Sequence, residues 1–126
     1  MSQRTGFFKS FGYAGAGMKA AFKNEPNFRI HTTFAIITFT LGVILRFTSI
    51  QWILLILTIS YVIILELINT AIEEIVDKVS PNFSQSAKLI KDISAAAVLI
   101  AAVSAALTGL LLFLPDILQL VFALVH

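Results

Sequence analysis

From Glu66 to Asp77 the chain reads ELINTAIEEIVD, and Glu66, Asn69, Glu73 and Asp77 follow one another at intervals of three, four and four. At about 100° per residue these intervals place all four on one face of a helix. Glu66 and Glu73 then stand two turns apart, about 10.5 Å along the axis. Glu74 points about 100° away and reads as a solvated neighbour. Carboxylates with an amide, no cysteine and little histidine form an oxygen-donor set that suits a hard cation such as Mg²⁺. Lys88 and Lys91 follow across a polar stretch and suit phosphate oxygens, Asp92 can orient a lysine or a ribose, and Glu25 offers a further oxygen ligand. A metal, phosphate clamps and one base are the inventory of phosphoryl transfer. Neither the phosphate-binding Gly-rich loop ending in Lys-Ser/Thr nor the protein-kinase signature occurs, and the glycines of GYAGAG follow no strand.

The position of Glu66 is costly. WILLILTISYVIIL lies just upstream, and an ionisable residue within a lipid-spanning segment costs about 2.5–3.5 kcal/mol at its centre, less near the interface. Glu66 alone reads equally well as the first residue clear of the membrane or as the packing partner of a lysine. The whole stripe favours a functional site.

The elements that must position this stripe follow from composition and pattern. The chain has 126 residues, 58% hydrophobic and 13% charged, with a mean hydropathy of +0.92. That is too little polar surface for a soluble domain, so the fold class is an all-α integral membrane protein forming a single domain. Without cysteine there is no disulfide framework, thiolate nucleophile or Cys-based metal site. The N-terminus is basic but has no uninterrupted apolar run before a cleavage site, so it is not a secretory signal. Thr5 to Asn24 read as an amphipathic helix in the headgroup region, with Phe7, Phe8, Phe11, Met18 and Phe22 on one side and Lys9, Lys19 and Lys23 on an adjoining sector. Pro26 ends it and makes NEPNFR a corner. The surface helix and corner thus occupy residues 1–27.

Residues 28–114 hold three apolar segments, roughly Ile30 to Phe47, Gln51 to Ala71 and Ile93 to Leu114, each near the ~20 residues needed to cross ~30 Å of hydrocarbon. RFTSIQW makes a tight turn between the first two, with Trp52 as an interfacial anchor. Residues 115–126 read as a short interfacial tail. Of nine lysines and arginines, only Arg46 falls in the first loop, and the tail has none. The positive-inside rule therefore puts the N-terminus and the acidic stripe on the cytoplasmic side. The third segment is rich in Ala, Ser and Gly, which permits close helix packing in lipid and points to a homo-oligomer. His31 reads as an interfacial filler, Tyr61 as packing, and Asp116 as solvated. The eleven phenylalanines suit lipid-facing surface rather than nucleic-acid stacking.

Three stretches, FGYAGAGMKAAFKNEPNFR, ELINTAIEEIVD and AKLIKDISAAAVLIAAV, together resemble the small bacterial membrane lipid kinases of the prokaryotic diacylglycerol kinase and undecaprenol kinase family. The resemblance covers nearly the whole chain to Leu114. It implies a surface helix plus three transmembrane helices per chain in a homotrimeric bundle, with composite active sites at the cytoplasmic face of the bacterial cell membrane. It implies transfer of the γ-phosphate of ATP, with Mg²⁺, to a lipid alcohol, with undecaprenol favoured slightly over diacylglycerol. By the same resemblance Glu66 is the general base, Asn69 its polar support, and Glu25 and Glu73 the metal-binding carboxylates that bring Mg²⁺ to ATP. Lys91 and Asp92 contact the nucleotide, Tyr13 lies on its side of the surface helix, Asn82 to Ser84 form a nucleotide loop, and Ala95 joins Glu66 on the substrate side. Arg4 and Lys9 are both open as the N-terminal basic contact. The competing expectation, a non-catalytic ion-conducting or assembly subunit, is disfavoured because Ile53 to Leu65 carries only Thr58, Ser60 and Tyr61 as polar groups.

Overall fold

A computed structural model describes residues 6–125, so Arg4, Thr5 and His126 lie outside the described residues. Four helices follow one another: α1 (Phe7–Asn24), α2 (Pro26–Ile44), α3 (Ser49–Val79) and α4 (Gln85–Val125). The described residues include no strand. The last three helices are each long and apolar enough to cross a membrane. Their outward faces carry exposed Ile36, Leu57 and Leu111 among many other large apolar side chains, a surface that water would not tolerate and hydrocarbon would.

Glu25 is the hinge of the first corner. It adopts extended backbone (φ −108°, ψ 109°), and its N–H closes α1 on Ala21 O at 2.8 Å. The conformation follows from Pro26, which disfavours the helical region for the residue before it and is itself well placed at the first position of α2. One side of α1 buries Ala21 against α2 and α3, while Phe7, Phe8 and Phe11 stay exposed with their rings stacked edge to face.

The α2–α3 turn is as tight as expected, and its chemistry is specific. Arg46 takes a left-handed conformation (φ 55°). Phe47 N–H reaches back to Gly42 O (3.0 Å) and Arg46 N–H to Val43 O (3.2 Å), the paired closure of a Schellman C-cap. Thr48 then opens α3 with a reciprocal capping box: Gln51 N–H donates to Thr48 Oγ1 (3.4 Å), and Gln51 Oε1 accepts from Thr48 N–H (2.9 Å). The closure folds the Phe47 ring over Gly42 and into a cluster with Leu55, Leu112 and Phe113. Trp52 packs against this cluster between the rings of Phe39 (4.8 Å) and Phe47 (5.8 Å), so it serves helix packing as well as any interfacial role.

α3 and α4 form the most extensive helix pair, joined by the turn at residues 80–84. α3 does not end where its apolar run does; it continues through the acidic stripe to Val79. α4 likewise passes through Pro115 without a break and reaches Val125. At 41 residues it is about 60 Å long, twice the hydrocarbon thickness. The sequence expectation placed an element boundary at Pro115. The proline removes only one intrahelical bond, a loss that packed helices tolerate. Asp116, expected to be solvated, accepts a hydrogen bond from Gln51 Nε2 at 2.8 Å and ties α4 to the start of α3.

A Cβ on Gly42 would lie 3.1 Å from both Phe47 and Trp52 side chains, and Phe39 and Phe113 hold those rings from behind. Gly42→Leu is therefore expected to lower stability by about 1–3 kcal/mol through overpacking, read as a lower unfolding midpoint in detergent micelles. An unchanged midpoint would show that the rings move aside freely.

Candidate active site

The continuity of α3 turns the four-residue stripe into a real ridge with a gradient of exposure. Glu66 is 2% exposed, Asn69 9%, Glu73 is half-buried and Asp77 is exposed. The stripe thus rises from a sealed interior to open surface within three turns of one helix.

The ridge is held against α4 at two levels. In the interior, the Ser94 hydroxyl donates to Asn69 Oδ1 at 2.7 Å, with Lys91 O as a second acceptor at 3.0 Å. The Asn69 amide in turn donates to Glu73 Oε1 at 3.1 Å. This chain fixes the orientation of Asn69 and aims one Glu73 oxygen along the ridge. Nearer the surface, Lys91 Nζ donates to Asp77 Oδ1 at 2.6 Å. Lys88 pairs with Asp92, and Lys78 with Glu74, one turn apart within their own helices; such exposed pairs contribute little.

Glu66 is the anomaly. Its Oε2 is buried without a hydrogen-bond partner among the described residues. His31 Nε2 stands 3.8 Å from that oxygen, an ion-pair distance rather than a hydrogen bond. The filler role expected for His31 is therefore corrected: the corner at Glu25 starts α2 so that His31, one and a half turns on, faces the ridge. Glu25 and Glu73 lie close enough for their charges to act on Glu66. Glu25, Glu73 and His31 thus lie toward the same end of the bundle as Glu66, although no three of the described His, Asp and Glu side chains close into a metal-holding cluster.

The other expected site residues are spread around this core. Tyr13 is exposed on α1, apart from the hydrogen-bonded network. Asn82 lies exposed in the α3–α4 turn, where its carbonyl accepts from Ser80 Oγ at 3.3 Å. Ser84 caps α4: its Oγ accepts from Ala87 N–H (3.4 Å) and its carbonyl from Lys88 N–H (3.0 Å). Lys91 and Asp92 diverge, the first toward α3 and the second toward Lys88. Ala95 is exposed beside the buried Ser94.

Residues 12–113 match the prokaryotic diacylglycerol kinase family. The chain belongs to that family. It is 44% identical over 112 residues to a diacylglycerol kinase of Synechocystis sp., covering 88% of this chain and 64%, just under two thirds, of that relative's length. It is 39% identical over 111 residues to the undecaprenol kinase of Bacillus subtilis, covering 88% of this chain and 90% of the relative. Against the diacylglycerol kinase of Escherichia coli K12 the identity is 34% over 111 residues, covering 86% and 91%. Family membership places the chain among the lipid kinases.

Two residues that meet the ridge, Ser94 and His31, escaped the sequence reading. Ser94 sits inside the quoted stretch KLIKDISAAAV, but its bond to Asn69 spans 25 positions and no periodicity announces it. His31 carries no local signal either, since its neighbour Glu66 lies on another helix. Ser94→Ala leaves the buried Asn69 carbonyl without its donor, a loss of about 1–3 kcal/mol. Asp77→Asn removes only an exposed partner of Lys91. Thermal unfolding in micelles is expected to show the larger drop for Ser94→Ala; equal drops would mean the interior link does not organise the ridge.

Proposed function

We propose that this chain is an ATP-dependent lipid kinase of the bacterial cell membrane. It transfers the γ-phosphate of Mg-ATP to the hydroxyl of a membrane lipid alcohol, and works as a homotrimer with the carboxylate-bearing end of its bundle in the cytoplasm. The observation that carries this reading is the graded ridge: one helical face that seals a carboxylate at Glu66 and exposes another two turns on. A lipid alcohol keeps its tail in hydrocarbon and presents its hydroxyl at the boundary, so it approaches from the Glu66 end. A nucleotide is confined to water and approaches from the Glu73–Asp77 end.

The step then balances simply. The lipid hydroxyl oxygen bonds to the γ-phosphorus as the bond from that phosphorus to the β–γ bridging oxygen breaks. ADP leaves, and the hydroxyl proton passes to the unpartnered oxygen of Glu66. A positioned base of this kind is worth roughly 10²–10⁴-fold. Asn69, held by Ser94, keeps the ridge in register, so that positioning carries much of the remainder. Lys91 exchanges Asp77 for phosphate oxygens when nucleotide arrives, and Tyr13, Asn82, Ser84 and Asp92 border the nucleotide side.

The donor set fits Mg²⁺ held with its nucleotide. Glu25 and Glu73 supply two carboxylates, and the described residues form no closed all-protein cluster, as suits an ion bound through one or two carboxylates plus substrate phosphates. When bound there, Mg²⁺ neutralises charge developing on the phosphate oxygens. The trimer is supported by exposed small residues along α4, Ala95, Ala96 and Ala97 among them, which allow another chain to approach closely. Undecaprenol is favoured slightly over diacylglycerol as acceptor on the FFKSFGYAGAG and ELINTAIE stretches, while the relatives carry both names.

Glu66→Gln is expected to keep the helical content and oligomeric state while reducing phosphate transfer by at least about a hundredfold, measured with labelled ATP in mixed micelles. Full activity would remove Glu66 from the base role. In the same assay, chelation of Mg²⁺ is expected to abolish transfer, and undecaprenol to be phosphorylated with higher kcat/KM than diacylglycerol; the reverse order would reassign the acceptor.

A further inference from the structure

Among the described residues two buried side-chain polar atoms have no hydrogen-bond partner: Glu66 Oε2 and Thr70 Oγ1. They belong to residues one turn apart on α3. The second is the less expected. A threonine inside a helix always has an acceptor to hand, the carbonyl four residues back. Thr32, Thr33, Thr38, Thr40 and Thr58 all use it, at 2.7–2.9 Å. Thr70 could use the Glu66 carbonyl in the same way and does not, so its hydroxyl is turned elsewhere although burial without a partner is destabilising. Thr70 also belongs to the ridge. It lies about 40° around the helix from Glu66 and about 60° from Glu73, on the flank away from Asn69. Along the axis it stands about 6 Å beyond Glu66 and about 4.5 Å short of Glu73, between the levels assigned above to lipid and to nucleotide. Asn69, the other uncharged polar residue at this height, is engaged at both ends, by Ser94 and by Glu73.

We infer that Thr70 is a further catalytic residue, whose hydroxyl donates a hydrogen bond to a non-bridging oxygen of the phosphoryl group as it passes from nucleotide to lipid. The inference rests on the kinase reading and adds one transition-state contact to it. The two unpartnered atoms are complementary, because an ionised carboxylate oxygen only accepts whereas a hydroxyl donates. Their order along the helix matches the reacting groups: the alcohol O–H, which needs an acceptor, lies at the Glu66 level, and the phosphate oxygens, which need a donor, lie one turn further on. Nothing is transferred to or from Thr70. Its O–H bond stays intact, the alcohol proton goes to Glu66, and the bond from the γ-phosphorus to the bridging oxygen breaks as before. A buried donor fixed in place ahead of the reaction meets developing charge without reorganisation. Because the hydroxyl has no protein partner to give up, the bond it gains is made only with the reacting group, and such bonds raise kcat rather than uniform binding.

Thr70→Val removes the hydroxyl and keeps the branched shape, whereas Thr70→Ser keeps the hydroxyl. In mixed micelles with labelled ATP, Thr70→Val should lower kcat by about a hundredfold and leave the KM for ATP and for the lipid alcohol unchanged, the pattern of a contact made in the transition state. Thr70→Ser should recover most of that loss. The thermal unfolding midpoint of Thr70→Val should equal or exceed that of wild type, since the change deletes a buried polar atom without orphaning a partner. Wild-type kcat in Thr70→Val, or a Thr70→Ser no more active than Thr70→Val, would overturn the inference. So would a lower midpoint for Thr70→Val, which would give the hydroxyl a structural partner in the assembled protein. Calorimetric titration in micelles supplies a readout without turnover. Mg-ADP with aluminium fluoride, a mimic of the phosphoryl group in transit, should bind Thr70→Val more weakly than wild type, and Mg-ADP alone equally well; equal effects on the two ligands would overturn the inference. A wild-type protein that transfers phosphate to no lipid would contradict the kinase reading itself, whereas normal wild-type transfer beside any of the adverse results above would remove only Thr70.

Discussion

A carboxylate sealed from solvent, with an oxygen that no donor among the described residues reaches, is the constraint around which this molecule is built. Burying such a group costs several kcal/mol unless it is compensated, and the fold offers Glu66 only a loose ion-pair neighbour in His31. What keeps it in place is the unbroken run of α3, whose apolar length below and polar length above leave no other position for the residue. Once Glu66 is held there, the three- and four-residue intervals of the ridge decide where Asn69, Glu73 and Asp77 must emerge.

Two sets of contacts at opposite ends of the bundle maintain this arrangement. At the far end, the Schellman closure over Gly42 presses Phe47 against Phe113, Trp52 seats between Phe39 and Phe47, and Gln51 holds Asp116. At the site end, Ser94 and Lys91 of α4 hold Asn69 and Asp77 of α3. Between them the helices part along a small-residue wall. Packing that would seal a soluble core gives way here to a gap between α2, α3 and α4 that runs from the aromatic cluster to His31.

Much of this was legible in the amino-acid order because it depends on local rules. The corner at Glu25 follows from Pro26, the shared face of the stripe from helical geometry, and the three spans from length and apolarity. The capping box of TSIQ, Thr48 to Gln51, is equally local. The parts that escaped are those in which distant residues meet. Asn69 and Ser94 each carry a polar side chain consistent with several neighbours, and only the α3–α4 register selects one. His31 looked ordinary because its partner is on another helix. Pro115 misled because a proline signals a helix end in isolation, while neighbouring helices decide whether it breaks one.

The central claim is the vertical order of the ridge, with Glu66 at the lipid level and Glu73 at the nucleotide level. The chain has no cysteine of its own, so Glu66→Cys and Glu73→Cys each introduce a single thiol. In inverted membrane vesicles exposing the cytoplasmic side, a membrane-impermeant maleimide should label position 73 rapidly and position 66 scarcely, with Mg-ATP slowing the labelling at 73. Equal labelling at the two positions, or labelling of 73 only from the opposite side of the membrane, would contradict the account.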